Sequence, residues 1–453
     1  MSMHPSWKSS KGNNQTLSLS KGNFLNYHIQ TFQYWYNQGI RLFKLDFALF
    51  NVATSRQNNL ENNEIIKQNE DALFNALYKF KQKNKDAIFL AYNGFGGEMK
   101  DTYPHLKKTI QTKWLDIFES LYSGDPRLSD IPCSNFWRSK DIYSDHMVNQ
   151  FQYNDIPLKR IDNSSFMLGN TGTCYKRGKA AWKSTCLLSY ARGGWVNTIY
   201  GDLSLFNPEE RNWFSKAQSF WLNLQQNATF YMLGDIPGIG NVYGYSAETT
   251  HGKVITLVNP SQTRKEFALP RGIKKHLILY YDNDGHPFLS NKKIKIHPEQ
   301  MVIIGTEKFS SKNYSLGHDN VLNTSKQTRL LYRTSTKKYS NQLSINYIPK
   351  NAKKLKIVFK LTDKQHHPIR LSGGSPPDGT FLNEIFQVKI SQKNRMINYQ
   401  TNSIKQIWSG MSWILVEIDE NIYTTNIPMK ISLNIAKKNG VKGIISCKLY
   451  EIN

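Results

Sequence analysis

Apolar positions in the first 235 residues alternate between short runs and longer helical spacings. Leu42–Phe47 (LFKLDF) reads as a strand. Across Glu61–Lys81, Ile65, Ile66, Leu73, Leu77 and Phe80 recur at the spacing of one helix face. Strands are then predicted at Ala87–Asn93, Leu115–Ser123, Ser165–Gly169 and Trp195–Gly201, with helices at Ile142–Phe151 and Gly178–Tyr190. Asn207-Pro208-Glu209-Glu210 is a helix start, with an Asn cap, Pro at the first helical position and early acids. Strand–helix alternation of this kind predicts a parallel α/β fold.

The pattern changes near Leu233. Residues 236–306 carry short strands and turns, including the Asp282-Asn283-Asp284-Gly285 turn, and predict a small antiparallel β domain. Glu307–Lys326 is polar and reads as a linker. The strand-rich remainder predicts a second, C-terminal β-sandwich, so that the third domain is 307–453.

Composition narrows the function classes. The net charge of +25 invites a nucleic-acid reading, but the basic residues are mostly scattered Lys, and no nucleic-acid motif accompanies them. Clusters such as Ala352–Lys356 alternate with apolar residues as strand faces do. No run of eighteen apolar residues exists, so no transmembrane helix is expected. Met1–Gly12 lacks a basic-then-apolar leader pattern, and localisation stays open. Cys133, Cys174, Cys186 and Cys447 form neither a CxxC pair nor a His/Cys metal pattern, so buried thiols are expected, with no metal and no cofactor.

Three predicted strand ends carry the candidate chemistry, because functional side chains of parallel α/β barrels sit where strands give way to loops. Lys44 and Asp46 are two apart on one strand and point the same way. A Lys beside a carboxylate keeps it ionised. A structural ion pair has the same pattern. Asn93-Gly-Phe-Gly-Gly97 follows another strand. Its glycines would let backbone approach a ligand closely, and its Asn offers both a donor and an acceptor. Asp125, in Tyr122-Ser-Gly-Asp-Pro-Arg127, is exposed by a Gly/Pro turn, or is simply an Asp-Pro turn.

In order and spacing, Lys44-Leu45-Asp46, Asn93–Gly97 and Ser123-Gly124-Asp125 resemble the strand-end motifs of melibiase-like glycoside hydrolases, the α-galactosidase and raffinose-synthase-like clan. Trp195–Leu205 resembles the eighth barrel strand of that family. The resemblance covers roughly residues 1–305. It implies a partial (β/α)8 TIM barrel over 1–235, followed by the small antiparallel β domain and the C-terminal β-sandwich. It further implies a retaining hydrolase of α-galactosides, with Asp46 as nucleophile and Asp125 as acid/base. Asp130, in the same loop, is the fallback for the second role. Substrate contacts are expected from Lys44, Asn93, Trp7, Tyr122 and Arg127, with Trp114 and Trp137 as further platform candidates. A related-clan α-glucosidase and a non-catalytic carbohydrate-binding remnant are the alternatives. The family's first two barrel strands, its N-terminal β domain and its early acidic-Trp motif have no counterpart here. The chain therefore reads as the C-terminal part of a longer protein, with a separate N-terminal chain as an expected partner beside an oligosaccharide or galactoside substrate.

The scattered charge predicts weak retention on heparin or DNA, abolished by salt and without sequence preference. Tight, site-selective DNA binding at physiological salt would overturn that prediction.

Overall fold

The computed structural model describes residues 17–51, 60–98, 108–163, 166–171, 177–194, 199–283, 285–319, 321, 328–371, 382–401, 411–436 and 441–452. They form many sheets and few helices, arranged in two compact units. The first unit comprises residues up to 101, 108–124 and 150–163; the second takes the rest.

The first unit contains helix α1 (Phe24–Asn37), strand β1 (Leu42–Leu45), helix α2 (Asn62–Lys83) and strand β2 (Ile88–Ala91). Strand β3 (Ser120–Tyr122) follows. Helix α3 (Phe136–Gln152) begins in the second unit and ends in the first, where β4 (Ile161–Asp162) closes the sheet. The sheet order is β1-β2-β3-β4, and every pair is parallel. Helix α2 forms where the apolar spacing predicts it, and Ile65, Leu73, Leu77 and Phe80 are buried. Asn69 on the same face is also buried, because its carboxamide accepts from the Leu19 and Ser20 amides and donates to the Phe50 carbonyl at 2.7 Å.

Leu115–Ser123 departs from the predicted strand. Thr112–Asp116 is a 3-10 turn, and the strand is only Ser120–Tyr122. Tertiary packing overrides the β pattern. Trp114 is fully buried among Phe50, Phe74, Phe95 and Phe118. The Arg160 guanidinium holds the turn by donating to the carbonyls of Leu115, Phe118 and Glu119. Trp114 is therefore a core residue and presents no sugar platform.

In the second unit, β5 (Phe166–Leu168) and β6 (Ile199–Gly201) pair in parallel around α4 (Trp182–Ala191), and α5 (Pro208–Asn227) follows. The predicted start of α5 is a complete capping box: Asn207 accepts from the Glu210 amide, and Glu210 accepts from the Asn207 amide. A six-stranded sheet comes next, and it reaches past both predicted boundaries. Thr229–Gly234 forms one edge and Gly317–Asp319 the other. The polar stretch expected as a linker thus includes a strand paired to His276–Asp282, with Phe309, Leu316 and Val321 buried. Beyond Thr328, a five-stranded and a four-stranded sheet share one core built from Ile357, Phe359, Trp413, Ile390, Ile431 and Leu433 among others. Among the described residues no helix is long and apolar enough to cross a membrane. Cys133, Cys186 and Cys447 are buried, and burial pushes the last two thiols up to about 12; Cys174 lies outside the described residues.

Buried charges join α3 and α4 to the six-stranded sheet. Arg138 on α3 pairs with Asp282, and Ser184 on α4 donates to the same carboxylate at 2.7 Å. Asp145 on α3 receives Arg192 at 2.6 Å, the Tyr245 hydroxyl at 2.7 Å and the Tyr243 hydroxyl. The loop ahead of α3 is pinned by the C-terminal sheets. Arg370 spans both oxygens of Asp130, Ser412 donates to it at 3.1 Å, and the Trp413 indole donates to the Ser129 carbonyl at 2.9 Å. Glu299 accepts from the Ser134 and Asn135 amides of the same loop.

Asp130 is 7% exposed at its side chain, so removing its cation strands a buried charge. Arg370→Met should cost about 3–5 kcal/mol in urea unfolding. Adding Asp130→Asn should recover part of the loss; a single variant within ~0.5 kcal/mol of wild type would refute the pairing argument.

Candidate active site

Each of β1 and β2 is followed by a polar group, and the parallel register brings the two ends together: Lys44 lies opposite Leu90 and Leu45 opposite Ala91. Asp46 and Asn93 therefore follow their strands side by side. Asp46 Oδ1 accepts from the Phe47 amide at 2.9 Å, the Asn93 amide at 3.2 Å and the Asn93 carboxamide at 3.0 Å. Asp46 Oδ2 faces the Lys44 ammonium at 3.3 Å. The ammonium also lies 3.7 Å above the centre of the Tyr92 ring, and Tyr92 in turn stacks on Tyr122 at 4.6 Å.

Burial raises the Asp46 carboxyl, but the two Asn93 hydrogen bonds and Lys44 outweigh it and hold the group below the usual Asp value. The carboxylate is thus kept ionised, with one oxygen fixed by three donors and the other presented beside an ammonium. Phe47 adopts a left-handed backbone, φ 55°, which turns the chain sharply after Asp46.

Asp46 and Lys44 line a cavity of about 390 Å³ with His28, Phe24, Phe32 and Phe47. His28 sits one helical turn from Phe24 and from Phe32, with ring centroids at 5.6 and 4.4 Å. Burial lowers its pKa and favours the neutral imidazole. The spacing Phe24–His28–Phe32 is visible in the sequence, but any apolar helix face has the same pattern.

Several expected contacts have other roles. Tyr122 is 2% exposed and covered by Tyr92, so it supports the Lys44 platform from below and offers no face to a sugar. The glycines of Asn93–Gly97 do permit close approach, but to protein. A Cβ on Gly94 would collide with the Ala48 backbone, and one on Gly97 would lie 2.6 Å from the Tyr122 carbonyl. Trp7 lies outside the described residues.

Asp125 and Arg127 belong to the second unit. There Asp125 interacts electrostatically with Lys140, a buried residue on α3. Burial and Arg177 push the Lys140 ammonium well down, against Asp125 and Asp141. Trp137 is buried between cations, with Lys140 4.6 Å and Arg177 5.0 Å from its ring centre, so it too is no open platform. Asp130, the fallback acid/base, is occupied by Arg370. Among the described residues no group of three His, Cys, Asp or Glu side chains could hold a metal ion.

No family model and no curated protein matches the chain. Solved structures similar to it include glycoside hydrolases. The GH36 α-galactosidase AgaB from Geobacillus stearothermophilus is 14% identical with a TM-score of 0.45, and the match covers 67% of this chain and 42% of that one. The α-galactosidase from Lactobacillus brevis gives 13%, a TM-score of 0.44 and the same coverage. The trehalose-6-phosphate hydrolase of Bacillus licheniformis gives 12% and 0.40, over 68% of this chain and 77% of that one. The chain thus spans 42% of the length of the α-galactosidases it matches.

The Asp46 carboxyl should titrate below an ordinary Asp. Asn93→Ala and Lys44→Met should each raise it, as read from carboxyl-carbon NMR titration; an unchanged or lower value in both would refute the assigned causes. Because the native value is depressed, this group adds stability that is fully present above the unfolded Asp value and is lost as pH falls through the native value.

Proposed function

We propose that the chain is part of a retaining glycoside hydrolase acting on α-galactosides. The observation that carries this reading is the Asp46 carboxylate, ionised and oriented by Asn93, Phe47 and Lys44 at the end of a parallel strand. The strand-end order Lys44-Leu45-Asp46, Asn93–Gly97, Ser123-Gly124-Asp125 supports it. Six short parallel strands, in two sheets and alternating with helices, support the reading of residues 1–235 as a partial (β/α)8 barrel.

In this mechanism Asp46 Oδ2 attacks the anomeric carbon while the glycosidic C–O bond breaks. The leaving oxygen keeps the bonding electrons and takes a proton from Asp125. The glycosyl ester on Asp46 is then hydrolysed by a water that Asp125 deprotonates. Lys44 neutralises charge beside the attacking oxygen, and the three donors on Oδ1 fix the carboxylate plane. Neutral His28 provides a hydrogen-bonding group in the cavity for a sugar hydroxyl.

A second reading, a non-catalytic carbohydrate-binding role, draws on the largely apolar lining of the cavity beside Asp46. The two readings separate in one experiment. Incubation with 5-fluoro-α-galactosyl fluoride, which accumulates the glycosyl ester, should label the peptide containing Asp46 in mass spectrometry. Asp46→Asn should abolish labelling; Asp125→Asn should still be labelled, because fluoride departs with little need of a proton, but should release the label roughly 10²–10⁴-fold more slowly. No label, or a label on another residue, would overturn the catalytic assignment.

A further inference from the structure

A second cavity, of about 440 Å³, lies within the second unit where the Asp130 loop, the small β region and the C-terminal sheets meet. Part of its wall is one face of the five-stranded sheet. In the pairing of Lys354–Thr362 with Ile444–Ile452, Val358 lies opposite Lys448 and Lys360 opposite Ser446, while the alternate residues Ile357, Phe359, Cys447 and Leu449 enter the sandwich core. The strand period therefore directs Lys360 and Lys448 into the cavity together, and Lys265 of Lys265–Ala268 also lines it.

Asp130 contributes the one carboxylate among these lining residues, and its charge is matched by Arg370 at 3.0 Å. Three ammonium groups thus share a recess whose single anion is engaged elsewhere. Lys360 is half-buried, unlike an ordinary surface lysine. Burial pushes its ammonium down; Asp130 opposes this, while Lys448 and Arg370 push in the same direction as burial. Such a site lacks negative charge, and a ligand supplying it would relieve the repulsion among its cations. Tyr450 and Asn241 line the same space, and the volume is of the size that small-molecule sites occupy, larger than a bare oxyanion requires.

We propose that this cavity binds a tetrahedral oxyanion of the phosphate or sulfate class, with room for a sugar ring attached to it. The recognition is electrostatic, centred on Lys360 with Lys448 and Lys265 around it. The inference does not depend on the glycosidase reading, because no residue of that mechanism lines the cavity.

Calorimetry on the full chain, in about 0.15 M chloride to screen diffuse attraction, tests it. Inorganic phosphate and galactose 6-phosphate should bind saturably at one shared site, and galactose should not displace phosphate from it. Equal affinity for the two anions would identify the free ion as the ligand; tighter binding of the ester would identify the sugar phosphate. Lys360→Met should weaken binding roughly tenfold or more, Lys360→Arg should retain it, and Lys79→Met on exposed α2 should leave it unchanged. In alkaline buffers binding should take up protons, because an anion favours the charged ammonium; the dependence of heat on buffer ionisation reads this. Thermal midpoints establish that each variant is folded. Absence of saturable binding by wild type, or wild-type affinity in folded Lys360→Met, would overturn the proposal.

Discussion

Helix α3 carries charges that would be prohibitive in isolation. Arg138, Asp141 and Asp145 are all nearly inaccessible to water. An unpaired ion there would cost several kcal/mol, so the helix is compatible with this core only while Asp282, Arg192 and the two tyrosine hydroxyls meet it. The requirement is directional. A guanidinium fork accepts few geometries, and each pairing fixes the rotation of α3 about its own axis as well as its depth. Trp137, Lys140 and the loop from Asp125 to Asn135 take their positions from that setting.

Much of this was legible in the chain. The spacing of Ile65, Leu73, Leu77 and Phe80 gives α2, the Asn207–Glu210 box gives the start of α5, and the strand-rich C-terminal third gives two facing sheets. The pairing of Lys44 with Asp46 was legible too, because a two-residue spacing on a strand has one geometric meaning. Where the pattern misled, long-range contacts decided. Trp114 pulls its segment out of extended conformation into an aromatic cluster, and Gly317–Asp319 hides an edge strand inside polar sequence. Tyr122 looked available because it precedes a turn, yet a neighbouring strand covers it. The role of Arg370 could not be read at all: its partner is Asp130, 240 residues away in sequence.

The candidate site shows the same division between local and distant causes. The Asp46 and Lys44 arrangement is set within one short strand and its neighbour, so it depends on few residues. The Asp125 segment is held at a distance, through Ser129, Asp130 and Asn135, by groups on the small β region and on the C-terminal sheets. Substitutions near Asp46 act directly on its carboxylate. Substitutions around Asp125 act through a framework that spans most of the second unit.

Leu128 belongs to the hydrophobic core of the C-terminal sheets although it lies far upstream in sequence. Together with Ser129 and Asp130 it makes that module's inheritance inseparable from a short piece of the α/β region. A recombination event joining a foreign C-terminal module at residue 307 would bring in a core shaped for a different insert. The new module would meet an unfamiliar leucine, an unmatched carbonyl and an orphaned carboxylate. The exchangeable unit in this lineage is therefore discontinuous in sequence, and module and loop must change together.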